Sequence, residues 1–417
     1  MKRCIVWLLA PLLLCGACSR LPSVPPQTSE TASAADTIRT VQPETEAPTQ
    51  AFPEAETTVQ TDAETVRELD AIAARYGATG VQAAWIRDGR TAGSYTFGYA
   101  DRAAGQAVRD DSAFRCASLS KTVCAMVVLR MQTDGLLRID DDIGTLLGFP
   151  VRNPRYPDAV ITLRMLMAHT SSIIDSTDFL DSRNAASSVP LRDLLSRRSS
   201  YSGARPGTQY AYSNFGVAVL AAAAETAAGK SFETLAQQYL FRPLAIDASF
   251  SASTLAQPQR TAALYGTSGN VQWSAARQMQ ETPARQIGQT HHIYQGNLTI
   301  SASDYAAILC MLLHAADGSD TRLFPQEAAR EMLSMQFRSA SVTQGLCVKK
   351  AEHVMDGRSF WSHTGSNFGM YAAYVIDPAD KSGVVVLTSG ANAVKDGSEL
   401  PNICAEIIRT LYTRALG

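Results

Sequence analysis

The chain has 417 residues, of which 46% are hydrophobic and 18% are charged, proportions that exclude a collagenous, coiled-coil or wholly disordered protein. Lysine and arginine total 37 against 39 aspartate and glutamate residues, so the formal net charge is -2. This balance implies no excess of basic surface, and we therefore expect no nucleic-acid partner.

The first eighteen residues have the pattern of an export signal. Lys2 and Arg3 precede a short apolar run that ends in small residues, and the run is too short to span a bilayer. Cys15-Gly16-Ala17-Cys18 resembles a bacterial lipobox, although Cys15 stands where an aliphatic residue is usual. We therefore predict a lipoprotein signal peptide over 1–18, lipidation of Cys18 and a membrane anchor. The alternative is an ordinary cleaved signal in which Cys18 is incidental.

Residues 19–62 are rich in Pro, Thr, Ala, Ser and Glu and contain no glycine. Such a segment buries too little apolar surface to offset its ordering entropy. We predict a disordered tether that holds the body of the protein away from a membrane, and hence an extracytoplasmic location in a bacterium. Which of two membranes carries the anchor stays open.

The remaining cysteines give no evidence of a metal site. They are odd in number and lack metal-ligand spacing, so we expect no metal and no cofactor, and leave their disulfide pairing open. These residues are Cys116, Cys124, Cys310, Cys347 and Cys404.

Strand patterns occur at both ends of the body, 63–417. Val81–Arg87 and Thr91–Tyr99 flank Asp88-Gly89, a sequence typical of a tight hairpin turn. Three further strands are predicted near the other end, at Ser359–His363, Gly369–Ile376 and Gly383–Thr388, the first two joined by a turn at Gly365 to Asn367. We predict an α+β domain with an antiparallel five-stranded sheet from both chain ends, flanked by helices.

Helical patterns begin and end the body, at Ala63–Tyr76 and Pro401–Leu416, and also fill its middle. We therefore predict an α/β lobe at about 63–125 and 355–417, and an inserted, mostly helical lobe at about 126–354. The middle helices are predicted at Ser118–Thr133, Leu163–His169, Asn214–Ala228, Ser231–Leu240, Ala302–Leu313 and Pro325–Met335. The stretch Ser251–Thr299 has no clear pattern, and a long loop in a compact body is often functional.

Ser118-Leu119-Ser120-Lys121 opens one of these helices. Three residues apart on a helix, Ser118 and Lys121 project from the same face. A serine hydroxyl needs a base to become a nucleophile, and desolvation disfavours the charged form of an amine, so a buried lysine can be that base. Taken alone, the spacing also fits an N-cap serine followed by a solvated lysine.

Two further motifs follow in order, Tyr210-Ala211-Tyr212-Ser213-Asn214 at the start of an apolar helix and His363-Thr364-Gly365-Ser366 at the end of a strand. Together with Ser118-x-x-Lys121 they resemble the serine hydrolases of the class C β-lactamase and D-alanyl-D-alanine carboxypeptidase family. Two supporting segments, Ile161 to Ser171 and Gln295 to Asp304, resemble further stretches of that family. The resemblance covers the body of the chain and implies a β-lactamase/transpeptidase-like fold.

The resemblance implies a role for each motif residue. Ser118 would be the acylated nucleophile, and Lys121 and Tyr212 would share the proton transfers. Asn214 would bind the amide part of the substrate, and the backbone N–H groups of Ser118 and Ser366 would form the oxyanion hole. His363, Thr364 and Gly365 would line the pocket beside Ser366.

Three positions depart from the family pattern. His363 stands where class C β-lactamases carry Lys, which favours a peptidase or esterase over an efficient β-lactamase. Ser172 and Asn297 replace glycines; Ser172 puts a local turn in question, while Asn tolerates left-handed backbone angles. The pair His291-His292 invites a metal interpretation, but we interpret it as part of a polar loop, and His169 as a packed or surface residue.

The sequence thus predicts an exported serine hydrolase that acts through an acyl-enzyme on D-Ala-D-Ala-type peptides of peptidoglycan. A β-lactamase or a small-ester esterase of the same family is the alternative among enzymes. A non-catalytic penicillin-binding-like sensor or surface module is the alternative of another class. Oligomeric state stays open.

Overall fold

The computed structural model describes residues 62–182, 189–281, 286–289, 292–395, 397 and 399–417. The predicted signal peptide, Cys18 and the predicted tether up to residue 61 lie outside the described residues, as does His291. Asp62 caps the first helix, because its side chain accepts hydrogen bonds from the backbone N–H groups of Glu64 and Thr65.

The body alternates short strands with helices of very unequal length. The strands are β1 Gly80–Arg87, β2 Arg90–Asp101, β3 Gln106–Ala107, β4 Phe114–Arg115, β5 Leu264–Tyr265, β6 Val271–Trp273, β7 Thr299–Ile300, β8 Phe337–Arg338, β9 Thr343–Gln344, β10 Lys349–Ala351, β11 Phe360–Asn367, β12 Met370–Asp377 and β13 Ser382–Ser389. The α-helices are α1 Ala63–Arg75, α2 Ser120–Thr133, α3 Ile143–Leu147, α4 Leu163–Met167, α5 Thr177–Ser182, α6 Leu191–Ser196, α7 Asn214–Ala228, α8 Phe232–Ala236, α9 Ala275–Met279, α10 Ala302–Asp317, α11 Gln326–Met332 and α12 Asn402–Leu411.

One large antiparallel sheet organises the body. Its strand order is β3-β2-β1-β13-β12-β11-β10-β9-β8, and its centre consists of the five strands predicted from the two chain ends. The sheet has nine strands rather than the predicted five, because β3, β8, β9 and β10 extend its two edges. Each of these edge strands has two or three residues, too few to show the alternation that identifies a strand in a sequence.

The two faces of the sheet bury two separate cores. Along β1, Ala84 and Ile86 face a large core shared with α2, α7 and α10, whereas Ala83 and Trp85 face a smaller core under α1 and α12. α10 and the strands β8–β10 both come from the stretch 126–354 that the sequence analysis gave to the helical lobe, so the sheet side draws on that stretch as well.

The turn between β11 and β12 differs from the prediction. The predicted turn at Gly365 to Asn367 is wrong, because β11 continues through Asn367 and the chain turns at Phe368 and Gly369, with φ of 51° and 75°. Two consecutive positive φ angles are typical of the tight turns that join paired strands. Gly365 therefore lies inside strand β11 and not in the turn.

α7 is a long, strongly apolar helix, and its residues from Phe215 to Glu225 are all buried. This confirms the predicted core helix with its predicted bounds. Across the residues that the structure describes, no helix combines the length and apolar character needed to cross a membrane.

Candidate active site

Three of the predicted residues meet at one hydroxyl. Ser118 lies in a short 3₁₀ turn, Ala117–Leu119, that leads into α2. The Nζ atom of Lys121 and the hydroxyl of Tyr212 each donate a hydrogen bond of 2.9 Å to Ser118 Oγ. The fold thus brings two potential proton carriers to the same serine oxygen, one of them from 94 residues away.

Lys121 has a second hydrogen-bond partner besides Ser118. Its side chain is fully buried, and Nζ also donates a hydrogen bond of 2.7 Å to the carbonyl oxygen of Gln295. The amine lies 5.2 Å from the centre of the Tyr212 ring. Buried polar groups keep their bonds because an unmade bond is costly, so these partners fix the position of the amine.

Gly365 lets strand β11 approach the nucleophile closely. A Cβ atom at this position would lie 2.6 Å from the carbonyl oxygen of Cys116 and 3.2 Å from the backbone nitrogen of Ser118. Next to it, Ala117 has a φ of 48°, a left-handed conformation that is costly for any residue with a Cβ. A glycine in β11 therefore brings Ser366 alongside a strained nucleophile turn.

His169 holds the segment that carries Tyr212 through two hydrogen bonds. Its carbonyl oxygen accepts a hydrogen bond of 2.8 Å from Ala211 N, and its Nδ1 accepts one of 3.3 Å from Ser213 N. Its ring centre lies 4.5 Å from that of Tyr212. Burial, followed by the charge of Lys121, holds the pKa of His169 well below its usual value. Of the two predicted alternatives, a packed or a surface residue, His169 is the packed one, and its contact with Tyr212 was missed.

Asp175 holds the start of α7 and was also missed. One of its oxygens accepts a hydrogen bond of 2.6 Å from Asn214 Nδ2, and the other accepts one of 2.8 Å from Phe215 N. Ser213 caps the same helix, because its Oγ accepts a hydrogen bond from Gly216 N. These contacts place Tyr212 and Asn214 on either side of a capped helix start, and no spacing in the sequence pointed to Asp175.

His363 is a neutral imidazole in this site. Its Nδ1 lies 2.8 Å from the carbonyl oxygen of Thr364, which only accepts, so Nδ1 carries the proton and Nε2 presents a lone pair. Burial, followed by the charge of Lys121, lowers the pKa of His363 to about 3. The residue therefore adds no positive charge to the site at neutral pH.

The site opens into a cleft of about 1570 Å³. The unpatterned stretch of the sequence supplies its far wall, where Trp273 stacks on Phe368 with ring centres 4.4 Å apart. Buried Arg115 lies over both rings and makes two hydrogen bonds of 3.1 Å to Glu281. The expectation that this stretch contributes to a functional surface is consistent with its place in the cleft.

The structural reason for Asn at position 297 differs from the predicted one. It is not among the described residues with positive φ, so left-handed geometry is not the reason for Asn here. Its Oδ1 accepts a hydrogen bond from Arg115, and its Nδ2 donates one of 3.0 Å to Glu281. The side chain thus joins the Arg115–Glu281 ion pair in the wall of the cleft.

Neither a metal site nor a reactive thiol is found among the described residues of this cleft. Within the described ranges, no group of three or more His, Cys, Asp or Glu residues is arranged to hold a metal ion. All five cysteines of the body are buried, and burial raises the pKa of Cys116 to about 12. Cys116 is therefore a protonated packing residue.

Comparison with known proteins identifies the family. A sequence profile described as Beta-lactamase matches residues 63–403. The chain belongs to the Beta-lactamase family. Members of this family are serine hydrolases, so the resemblance stated from the motifs is confirmed.

Curated relatives within the Beta-lactamase family are diverse. Penicillin-binding protein 4* of Bacillus subtilis (strain 168) is 26% identical over 170 residues, 40% of this chain and 36% of that protein. Esterase EstB of Burkholderia gladioli is 31% identical over 186 residues, 40% of this chain and 45% of that protein. D-alanyl-D-alanine-carboxypeptidase/endopeptidase AmpH of Escherichia coli (strain K12) is 29% identical over 146 residues, 34% of this chain and 38% of that protein. The chain thus spans less than half the length of these relatives.

Solved structures show the β-lactamase/transpeptidase-like fold. A class C beta lactamase from Rhodobacter sphaeroides superposes with a TM-score of 0.65 at 19% identity, over 85% of this chain and 100% of that one. A beta-lactamase/D-alanine carboxypeptidase from Pseudomonas syringae superposes with a TM-score of 0.64 at 20% identity, over 85% of this chain and 98% of that one. The predicted fold class is therefore confirmed.

Proposed function

We propose that this Beta-lactamase family member hydrolyses D-Ala-D-Ala-type peptides of peptidoglycan through an acyl-enzyme on Ser118. The observation that carries the proposal is the pair of 2.9 Å hydrogen bonds from Lys121 and Tyr212 to Ser118 Oγ. A nucleophile in contact with its base, with the base fixed by a third group, is the arrangement that covalent catalysis requires.

In the proposed reaction, Ser118 Oγ attacks the carbonyl carbon and its proton passes to Lys121 or Tyr212. The backbone N–H groups of Ser118 and Ser366 stabilise the resulting oxyanion, and each such donor is worth about 3–4 kcal/mol. The same proton then reaches the departing amine as the carbon–nitrogen bond breaks. Water, deprotonated by the same pair, attacks the acyl-enzyme, and that proton returns to Ser118 Oγ as the ester bond breaks and the acid product leaves.

The proposed substrate is supported by size and by relatives. The cleft volume of about 1570 Å³ exceeds the roughly 300–1,000 Å³ usual for small-ligand pockets, so the cleft can hold a peptide beyond the scissile bond. Asn214 would bind the peptide amide from the start of α7. Two relatives, penicillin-binding protein 4* and AmpH, bear names that fit this substrate class.

An esterase is the second candidate, and neutral His363 favours it. An imidazole without charge gives no attraction for a carboxylate, and esterase EstB is among the relatives. A β-lactamase is the third enzymatic outcome, and a non-catalytic sensor is the outcome of another class.

Covalent labelling tests the catalytic part of the proposal. Wild type and Ser118→Ala are each treated with a fluorescent penicillin and with a fluorophosphonate. We expect wild type to be labelled by at least one probe and Ser118→Ala by neither. Equal labelling of the two proteins, or no labelling of wild type, would contradict a nucleophilic Ser118.

Turnover of three substrates tests the substrate class. Hydrolysis rates are compared for an acyl-D-Ala-D-Ala peptide, a chromogenic cephalosporin and a short-chain ester. We expect the peptide to have the highest kcat/KM. Fast cephalosporin or ester turnover without release of D-alanine would replace the peptidase assignment by one of the other two.

We also propose that the body acts outside the cytoplasm, anchored through a lipid on Cys18. The lipobox-like residues before Cys18 support this location. Metabolic labelling with a fatty acid is expected to mark wild type but not Cys18→Ala. A labelled Cys18→Ala protein would contradict the anchor.

A further inference from the structure

The cleft needs a positive charge if its substrate ends in a carboxylate, as a D-Ala-D-Ala peptide does. Neutral His363 does not supply one. Four cationic side chains line the cleft within the described residues, Arg115, Arg277, Lys349 and Lys395, and a fifth, Lys121, is buried beside Ser118. The position and partners of each decide which one can meet a substrate carboxylate.

Two of these cations are already engaged in buried bonds. Arg115 is tied to Glu281 and Asn297, and Lys121 is bonded to Ser118 and Gln295. Arg277 lies on the far wall, 3.8 Å from the centre of the Trp273 ring. Of the remaining two cations, Lys395 is exposed to water, whereas the side chain of Lys349 is only 17% exposed.

Lys349 is close to the predicted substrate-binding strand. It pairs with Ser362 across β10 and β11, and side chains that pair directly lie on the same face of a sheet. Thr364, two residues further along β11, lies on that face too, at a diagonal distance of roughly 7–8 Å that a lysine side chain can span. Lys349 also lies near enough to His363 for its charge to lower the pKa of that imidazole.

Glu399 is the partner of Lys349. Its carboxylate lies 2.7 Å from Lys349 Nζ. The side chain of Glu399 is 55% exposed, and that of Lys349 is 17% exposed. A carboxylate this exposed can be exchanged for another at little cost. The backbone of Glu399 has a φ of 63°, a strained conformation for a residue with a side chain.

We propose that Lys349, together with the hydroxyl of Thr364, binds the substrate carboxylate on the leaving-group side, and that Glu399 occupies this position when no substrate is bound. The inference rests on the proposed hydrolase function and names the specificity residue of the same site. Lys349 then replaces the charge that neutral His363 lacks, and Glu399 is a built-in competitor of anionic substrates.

Matched substrates test this proposal. The first pair is an acyl-D-Ala-D-Ala peptide and its C-terminal amide. The second pair is a 3-carboxyphenyl ester and the corresponding 3-carbamoylphenyl ester of the same acyl group. Within each pair only the charge on the leaving group differs, so the ratio of the two kcat/KM values isolates recognition of the carboxylate.

Lys349→Met is expected to lower kcat/KM for the carboxylated substrates about 10- to 100-fold, mostly through KM, because a hydrogen bond to a charged group is lost. The uncharged partners should change less than about threefold, and Lys349→Arg should keep most of the discrimination. Glu399→Gln should lower KM for the carboxylated substrates about twofold to fivefold, since an exposed competitor is removed.

Lys350→Met is the matched control, because Lys350 is the next residue on β10 and lies on the opposite face, 4.5 Å from the centre of the Trp361 ring. It removes the same charge and should leave the discrimination unchanged. Equal effects of Lys349→Met on charged and uncharged substrates, or an equal effect of Lys350→Met, would overturn the proposal.

The two pairs separate this proposal from the proposed function. If wild type hydrolyses the esters but neither peptide, the D-Ala-D-Ala assignment fails and the ester pair alone decides the role of Lys349. If wild type hydrolyses none of the four substrates, both proposals are overturned.

Discussion

Two sides of one cleft are built in opposite ways. The nucleophile pocket, formed by Ser118, Lys121, His169 and Tyr212, is held through two buried side chains, Lys121 and His169, although Tyr212 itself is 41% exposed. The carboxylate side, formed by Lys349 and Glu399, is one ion pair whose acidic member is mostly exposed. Buried bonds fix the geometry of the chemistry, whereas an exposed pair can exchange partners with a substrate. Variants on the two sides should therefore differ in size of effect and in the kinetic constant that changes.

The largest effect is expected in the nucleophile pocket for Lys121→Met, which keeps much of the side-chain volume but removes the amine. We expect kcat to fall by about 10³-fold or more, because the proposed base is lost and the carbonyl of Gln295 loses its partner. Steady-state kinetics with the ester measure the loss, and thermal unfolding verifies that the variant folds. Activity within tenfold of wild type would show that Tyr212 alone activates Ser118.

The second-largest effect is expected for Gly365→Ala. The added Cβ would lie 2.6 Å from the carbonyl oxygen of Cys116, so β11 and the nucleophile turn must separate. We expect kcat/KM to fall about 10- to 100-fold and stability to fall by about 1–3 kcal/mol. Gly296→Ala is the control for stability, because a Cβ there would meet no atom within 4 Å. Equal unfolding midpoints for the two variants would refute the close approach.

His169→Ala is expected to lower kcat by about tenfold with little change in KM, because Tyr212 loses the ring that packs against it and Ser213 N loses its acceptor. His169→Asn keeps an acceptor and should recover part of kcat. If both variants change KM rather than kcat, His169 acts on substrate binding instead of on the position of Tyr212.

The pH dependence of the discrimination between charged and uncharged substrates gives a further test. Because the pKa of His363 is lowered to about 3, the ring stays neutral from about pH 5 to about pH 8. Acidification over this range adds no charge at His363, so the ratio of kcat/KM for charged and uncharged substrates should stay constant. A ratio that rises toward about pH 5 would mean that a protonated imidazole binds the carboxylate, contrary to the assignment of Lys349.

The smallest effect is expected for Arg277→Ala on the far wall. Arg277 is exposed and stacks on Trp273, and surface substitutions of this kind usually change stability by about 0.5 kcal/mol or less. We expect kcat/KM for the carboxylated peptide to change less than about threefold. A tenfold loss restricted to the carboxylated substrates would transfer the carboxylate site from Lys349 to the far wall.

The elements that sequence predicted best are those with long patterns. The five central strands extend over eight or more residues, and α7 carries an unbroken apolar run, so their existence and approximate bounds were predictable. The motif residues Ser118, Lys121 and Tyr212 were also predictable as a group, and the structure places them within hydrogen-bonding distance.

What the sequence did not predict depends on contacts between distant segments. Asp175, Glu281 and Glu399 act through partners far away in the chain, and no local spacing marks them. Ser172, whose replacement of glycine put a turn in question, has a φ of 67° and accepts hydrogen bonds from Asn153 and Ser202. The tertiary structure thus compensates locally for a residue that the backbone angle disfavours.

The pairing of β1 with β13 has a consequence for biogenesis. Gly80 lies opposite Ser389, so the middle of the sheet joins residues more than 300 positions apart. A ribosome must therefore synthesise the whole stretch between these residues before the central strand pair can close, and topologies with such distant contacts fold slowly. The strands from the first part of the body therefore stay without their central partner until β13 has been synthesised.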